Sequence, residues 1–379
     1  MDSITSLFKG FFGPKEQSVL GIDVGSSSIK VVQIKRKGGK AILETYGEIS
    51  LGPYAGFEIG QATNLPPEKL AVALKDLIKE ANVTTRNAGV AIPIKASLVT
   101  VMEMPAVPER ELASVVPLEA RKYIPVPISE VQLDWSIIPE DDDSQADLPE
   151  DVKAVAMPDG IPKVKKTHLL VVAIHNDVLA HYSTLLTAAE VETSFFEIEI
   201  FSAIRSVLDQ DVRPIAVIDM GAASTKLYII ERGAVRTSHI INRGSQDITL
   251  DMSRSMSLRV DAAEKMKRNF GNNGATNDGR IKEISDLILD SIFSEAQSII
   301  LAYQRKHNKN VAKVILTGGG AALKGVAEKS FASLQIETVY GAPFDKVQAP
   351  AFLEDVLRVT GREFAVSVGI ALRKLQESQ

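Results

Sequence analysis

Beyond residue 17 the hydrophobic pattern opens with an apolar run from Leu20 to Val24. It is broken by Gly25, Ser26, Ser27 and Ser28, then resumes as Ile29, Val31, Val32 and Ile34. A glycine and hydroxyl break between two short apolar runs predicts a strand, a tight turn and a second strand. Ala41 to Ile49 reads as a third strand. After Pro66-Pro67-Glu68 the period changes, and Leu70, Ala73, Leu74, Leu77 and Ile78 share one helical face. Val90 to Ile94 returns to a short apolar strand. Strands followed by a helix and a further strand predict an α/β domain with a mixed sheet.

From Lys95 to Val191 the texture changes, as in an insertion. A strand through Val99 and Val101 stops at Pro105 to Pro108, and a helix over Glu109–Tyr123 is interrupted at Pro117. Pro125 and Pro127 stiffen the connection to a strand from Val131 to Ile138, which carries the only tryptophan, Trp135. Seven carboxylates between Glu140 and Asp151, then Lys163, Lys165 and Lys166, read as a solvated loop. Thr167 to Ile174 is the return strand, and Asp177 to Ala189 a helix with Val178, Leu185 and Leu186 inside.

Glu197 to Leu208 reads as a helix that feeds a second copy of the opening pattern, Val217 to Ile230. Ile240 to Gly244 follows, then helices over 246–258 and 260–270, a Gly/Asn-rich loop at 271–279 and a long helix over 281–306. A strand from Val311 ends in Thr317-Gly318-Gly319-Gly320. A helix over 364–373 closes the chain, with Gly369 and small neighbours suited to close packing. The two hairpins correspond residue by residue: Asp23, Gly25, Ser28 and Lys30 match Asp219, Gly221, Ser224 and Lys226. Such an internal repeat bears on architecture before any local detail does.

The repeated turn suits a phosphate chain held between two copies. Glycine lets the backbone approach closely, and successive amide N–H groups make an anion-binding concavity. Gly25, Ser26, Ser27, Ser28, Gly221, Ala222, Ala223 and Ser224 are the turn residues, and Lys30 is a point charge for the phosphates. Asp23 and Asp219 are placed to hold Mg²⁺ through water, since that ion keeps several of its waters. Neither a Walker A sequence nor a complete Gly-x-Gly-x-x-Gly fingerprint is present.

Composition narrows the class. At 379 residues two or more domains are expected. A net charge of -5 argues against nucleic-acid binding. With no cysteine there is no disulfide framework or thiolate chemistry. No secretory signal and no apolar run of membrane-spanning length is visible, so a cytoplasmic protein is expected. His168, His175, His181, His239 and His307 show neither metal-ligand nor triad spacing. In residues 1–17, Ile4, Leu7, Phe8, Phe11 and Phe12 fall on one helical face before Gly13-Pro14. That segment reads as a membrane-surface or partner-docking helix, or as a tail that is disordered or folds onto the body.

In order and kind these pieces resemble the actin, sugar kinase and heat-shock chaperone ATPase superfamily. The resemblance implies an actin-like ATPase fold, two domains around a nucleotide cleft. It also implies that Gly318, Gly319 and Gly320 pass beneath adenosine, and that Glu264 and Lys267 face ribose and base. On their own those two residues read equally as a solvated helix face. Glu199 resembles the chaperone glutamate that positions the attacking water, and otherwise reads as a helix-end carboxylate. The cofactors implied are ATP and Mg²⁺.

Within the superfamily, Glu109–Ala113, Glu119–Ile128 and Val131–Trp135, with Ile22–Val32, resemble the PilM family of type IV pilus assembly, relatives of FtsA. Both families carry an inserted subdomain in the first domain. Arg373 to Gln379 ends the sequence close to the last helix, where FtsA continues into an amphipathic membrane helix, and this favours PilM. The domains expected are residues 18–94 with 191–212, an insertion at 95–190, a second domain of 213–250 with 311–379, and a helical subdomain at 251–310. The resemblance implies an ATP-bound scaffold at the inner face of the inner membrane, reached through partners. It would grip the cytoplasmic N-terminal peptide of PilN in a groove of the insertion, with Arg121, Tyr123 and Ile124 as candidate contacts, and leave room for motor-side pilus proteins or self-association. The alternatives are a working ATPase or small-molecule kinase, or a filament-forming division protein. Hydrolysis needs a group to position water, and a kinase needs an acceptor pocket with its own base, which no second constellation supplies.

Overall fold

A computed structural model describes residues 18–138, 166–271 and 279–377. The expected helix in 1–17, the acidic loop beyond Ile138 and most of the 271–279 loop lie outside these. Two five-stranded sheets dominate, each wound the same way. The first contains β1 (Ser18–Val24), β2 (Ser28–Lys37), β3 (Lys40–Ser50), β4 (Asn87–Ile92) and β8 (Glu192–Ile198), in the order β3-β2-β1-β4-β8. The second contains β9 (Ile215–Met220), β10 (Thr225–Glu231), β11 (Ala234–Ile241), β12 (Lys313–Thr317) and β13 (Thr338–Tyr340), in the order β11-β10-β9-β12-β13. In each, an antiparallel hairpin supplies the central strand, which pairs in parallel with a later one. The sequence repeat is therefore a structural repeat. Asp23 stands opposite Lys30, and Asp219 opposite Lys226.

The insertion is a three-stranded antiparallel sheet, β5 (Ser97–Pro105), β6 (Val131–Ile138) and β7 (Lys166–His175), in the order β5-β7-β6. The Glu109–Ala120 helix covers it with Leu112, Val116 and Ala120. This helix runs through Pro117 instead of breaking there. Proline withdraws one backbone donor, but the apolar stripe on both sides of it holds the helix to the sheet.

Three expectations are corrected. Residues 192–198 form strand β8, and the helix feeding the second hairpin starts only at Glu199. Thr193, Phe195 and Phe196 suit a pleated surface, and β8 completes the sheet beside β4. The Asn176–Ala188 helix, read as insertion, packs instead with the Pro67–Glu80 helix in the core under the first sheet, through Tyr182, Leu185 and Leu186. The Ala365–Glu377 helix, read as second domain, packs on β1, β2 and β4. Gly21 permits that contact, since a Cβ there would overlap the Ser367 carbonyl. Phe344, Val347, Leu357 and Phe364 join it against Val19, Val32 and Ile34, so the chain recrosses to the first domain before it ends.

Two helices thus join the domains, Glu199–Val207 and Ala365–Glu377, and they cross where Gly369 meets Ser202. A Cβ at Gly369 would overlap the Ser202 carbonyl, so only glycine allows the approach. Across the cleft mouth the first domain reaches back. Glu58 pairs with Arg259 at 2.6 Å and accepts the Asp261 N–H at 3.0 Å, and the Ala62 N–H donates to Gln246 Oε1 at 2.8 Å.

Candidate nucleotide cleft

The two hairpin turns face one another across a single cavity of about 650 Å³. Each turn is closed by the same bond, Gly25 N–H to the Ser28 carbonyl at 2.9 Å and Gly221 N–H to the Ser224 carbonyl at 3.0 Å. The intervening backbone is presented to the cavity, with Ser26, Ser27 and Ser28 on one side and Ala222, Ala223 and Ser224 on the other. Every residue that the sequence assigned to phosphate, adenosine or metal lines this space: Asp23, Lys30, Asp219, Glu264, Lys267, Gly318, Gly319 and Gly320, with Glu199.

The matched lysines differ in placement. Lys30 Nζ lies 2.7 Å from Ser28 Oγ and 3.1 Å from Glu48 Oε1. Lys226 Nζ bridges Glu199 Oε2 at 3.0 Å and Asp219 Oδ2 at 3.2 Å. Burial works against that ammonium, yet Asp219 and Glu199 outweigh it and hold Lys226 well above the usual lysine range. Asp23 is pushed up from 3.8 to about 6, first by burial, with Glu199 and Asp219 adding to the rise and Lys30 and Lys226 opposing it. Among the described residues no group of three or more Asp, Glu or His is arranged as a metal cage. Donor amides, hydroxyls, two lysines and flanking carboxylates fit a nucleotide that brings its cation with it.

Another wall of the cavity is built on a glycine turn. Gly318 sits at φ +83, and a Cβ there would overlap Asp219 Oδ1 and lie 2.7 Å from the Met220 carbonyl. Glu264 and Lys267 are buried partners at 2.7 Å, not a solvated face. Thr249 Oγ1 donates to Glu264 at 2.6 Å, Arg268 Nε at 2.7 Å, and Lys267 also reaches the Ser245 carbonyl at 3.1 Å. Burial alone would raise the Glu264 carboxyl, but Lys267, Thr249 and Arg268 bring it down to about 2.

Sequence reasoning missed several lining residues. The Arg362 guanidinium lies 3.4 Å from the centroid of the Tyr340 ring, a stacked pair beside the glycine turn. Glu363 is pushed up from 4.5 to about 7 by burial and by neighbouring Glu48. Glu48, Lys324, Tyr340 and the Arg362-Glu363 pair come from separate segments with no shared spacing, so no linear signal pointed to them, and Arg268 lies one turn on from Glu264 on the same helix. Glu199 is buried with both oxygens engaged, Oε1 by the Ile94 N–H at 2.9 Å and Oε2 by Lys226. The groove candidates lie away from the cavity, on the insertion. Arg121 and Tyr123 are exposed after its helix, whereas Ile124 is buried in the insertion's own core and offers no surface.

The chain is 27% identical to cell division protein FtsA of Neisseria meningitidis over 177 residues, 39% of this chain and 43% of that one, so the match spans under half of that relative. It is 21% identical to FtsA of Streptococcus pneumoniae over 345 residues, 83% of this chain and 73% of that one. Among solved structures it superposes on the PilM-PilN type IV pilus biogenesis complex with a TM-score of 0.76, at 23% identity, covering 94% of this chain and 98% of that chain. Ethanolamine utilization protein EutJ from Carboxydothermus hydrogenoformans follows at 0.53 and 14% identity, with 96% and 93% covered. These likenesses show the actin-like ATPase fold. A family model described as type IV pilus assembly protein PilM matches residues 21–375, and with that match the chain belongs to the PilM family of type IV pilus assembly proteins.

Proposed function

We propose that this chain is an ATP- and Mg²⁺-binding cytoplasmic scaffold of the pilus inner-membrane assembly complex, and that its nucleotide-closed form grips the cytoplasmic N-terminal peptide of a PilN protein. The observation that carries the reading is the pair of equivalent hairpin turns facing each other across one cavity that also contains the glycine turn. Amides and hydroxyls of both turns would hold the phosphates, Asp23 and Asp219 the waters of the cation, and Gly318 to Gly320 the adenosine. A ligand so held belongs to both domains at once and draws them together. The solved PilM-PilN complex, whose fold this chain shares, supports the choice of partner.

Glu199 is held by the Ile94 N–H on Oε1 and by Lys226 on Oε2, and each oxygen keeps a second lone pair for a water. We read the chain as a scaffold with slow hydrolysis at most, and Glu199 is the residue on which a cycling enzyme would depend. The test is nucleotide content of the purified protein with Mg²⁺, followed by phosphate release. Near-stoichiometric ATP without steady release supports the scaffold. Steady release abolished by Glu199→Ala would make it a cycling ATPase, and failure to bind ATP would remove the reading.

A further inference from the structure

The insertion is continuous with the first domain and packs against the second. It leaves β4 through Pro93 and the single turn Ile94–Ala96. One face of its sheet lies under its own helix. The other, with Val101, Ile138 and Leu170, packs on the second sheet at Val217 and Tyr228, and Ile94 sits in that same core. Side chains alternate along a strand, so Tyr228 shares a face of β10 with Lys226, and Val217 a face of β9 with Asp219. The face that carries the insertion therefore ends at the cleft, in the Asp219–Lys226 pair. A line of polar contacts follows the same route. Lys226 Nζ lies 3.2 Å from Asp219 Oδ2 and 3.0 Å from Glu199 Oε2, and Glu199 Oε1 accepts the Ile94 N–H at 2.9 Å. The cavity wall is thus connected to the root of the insertion through the first residue of a linking helix. Beside this line the Tyr228 hydroxyl is fully buried and has no hydrogen-bond partner among the described residues. A buried tyrosine usually finds one, and leaving the bond unmade costs stability. After burial itself, the Glu199 carboxylate does most to hold that hydroxyl protonated, ahead of Asp219, which sets Tyr228 in the field of this carboxylate.

We propose that Glu199 and Tyr228 are positioning residues that pass occupancy of the cleft to the insertion. Polyphosphate in the cavity competes for the Lys226 ammonium, Glu199 Oε2 turns from Lys226 to the Tyr228 hydroxyl, and the Ile94 root moves with Oε1. This inference rests on the nucleotide reading of the cleft. A buried carboxylate that loses its cation cannot be left without a partner, and Tyr228 is an unpaired donor on the same face as the lysine it loses. The two oxygens of a carboxylate are held in one plane, so a turn at Oε2 is felt at Oε1 and hence at the Ile94 N–H. The exchange trades one charge-assisted hydrogen bond for another, which keeps both arrangements within reach.

The test is hydrogen exchange of the full chain with and without ATP and Mg²⁺, read by mass spectrometry on a fragment covering residues 93–101. ATP binding to wild type should change exchange there by about tenfold, an ordinary size for coupling between sites. Tyr228→Phe removes only an unpaired hydroxyl, so it should bind ATP like wild type with Tm unchanged or higher. Its response at 93–101 should fall to about twofold or less, and Glu199→Gln should lose the same response. A Tyr228→Phe protein that responds like wild type, or that loses ATP binding or stability, would overturn the proposal. So would a wild type that binds ATP with no change at 93–101. A wild type that binds no ATP would remove the cleft reading and this coupling with it, whereas every other failure leaves the cleft reading standing.

Discussion

At Gly318 no other residue fits. The positive φ favours glycine, and the floor formed by Asp219 and Met220 leaves no space for a Cβ. Gly318→Ala should lower stability by about 1–3 kcal/mol and weaken ATP binding at least about tenfold, read by urea denaturation and nucleotide titration. An alanine variant with wild-type affinity would show that the turn can give. Glu264 makes a pH prediction. Its carboxyl is depressed from 4.5 to about 2 in the fold, so its charge contributes stability above the unfolded value, on the order of 3 kcal/mol. That contribution is lost as pH falls through the folded value. The advantage of wild type over Glu264→Gln should therefore be full near neutrality and shrink in acid; an advantage unchanged with pH would contradict the pairing. At this scale the sequence was informative wherever chemistry repeated. Asp23, Gly25 and Ser28 with Asp219, Gly221 and Ser224 are visible because two copies stand in register. Tyr340, Arg362 and Glu363 are not, because only tertiary packing brings them to the cleft.

Among the elements, the crossing of the two linking helices is held by one buried carboxylate. Glu197 accepts from Arg205 at 2.7 Å and Arg373 at 2.8 Å, and from Ser202, so it ties β8 to both helices. Glu197→Gln should cost about 1–3 kcal/mol, seen as a lower Tm; an unchanged Tm would mean that the partly exposed arginines turn to water without loss. The contact over the cleft mouth predicts kinetics instead. Glu58→Ala removes the Arg259 pair and the acceptor of the Asp261 N–H, so nucleotide should leave several-fold faster in stopped-flow chase, with little change in Tm because exposed pairs contribute about 1 kcal/mol or less. Element types followed from periodicity where segments were long, as in the Pro67–Glu80 and Arg280–His307 helices. β8 was missed because its mixed exposed and buried positions run straight into a helix, and position in a sheet, not pattern, makes it a strand.

For the whole molecule, the architecture was legible from the order of motifs, but the ownership of elements was not. Sequence adjacency assigned the Asn176–Ala188 helix to the insertion and the last helix to the second domain, whereas core packing gives both to the first. The Glu199–Val207 helix packs between the two sheets, and a ligand bound in the cleft as proposed would touch both halves. A ligand at about 100 times its Kd stabilises the form that binds it by about 2.7 kcal/mol, enough to decide whether a partner groove is formed. The most direct test titrates a PilN-type N-terminal peptide into the protein with ATP and Mg²⁺, without nucleotide, and as the Asp219→Ala variant. Tight peptide binding with ATP, lost together with nucleotide in Asp219→Ala, is the result predicted. Full peptide binding by a nucleotide-free Asp219→Ala protein would contradict the coupling of cleft to partner.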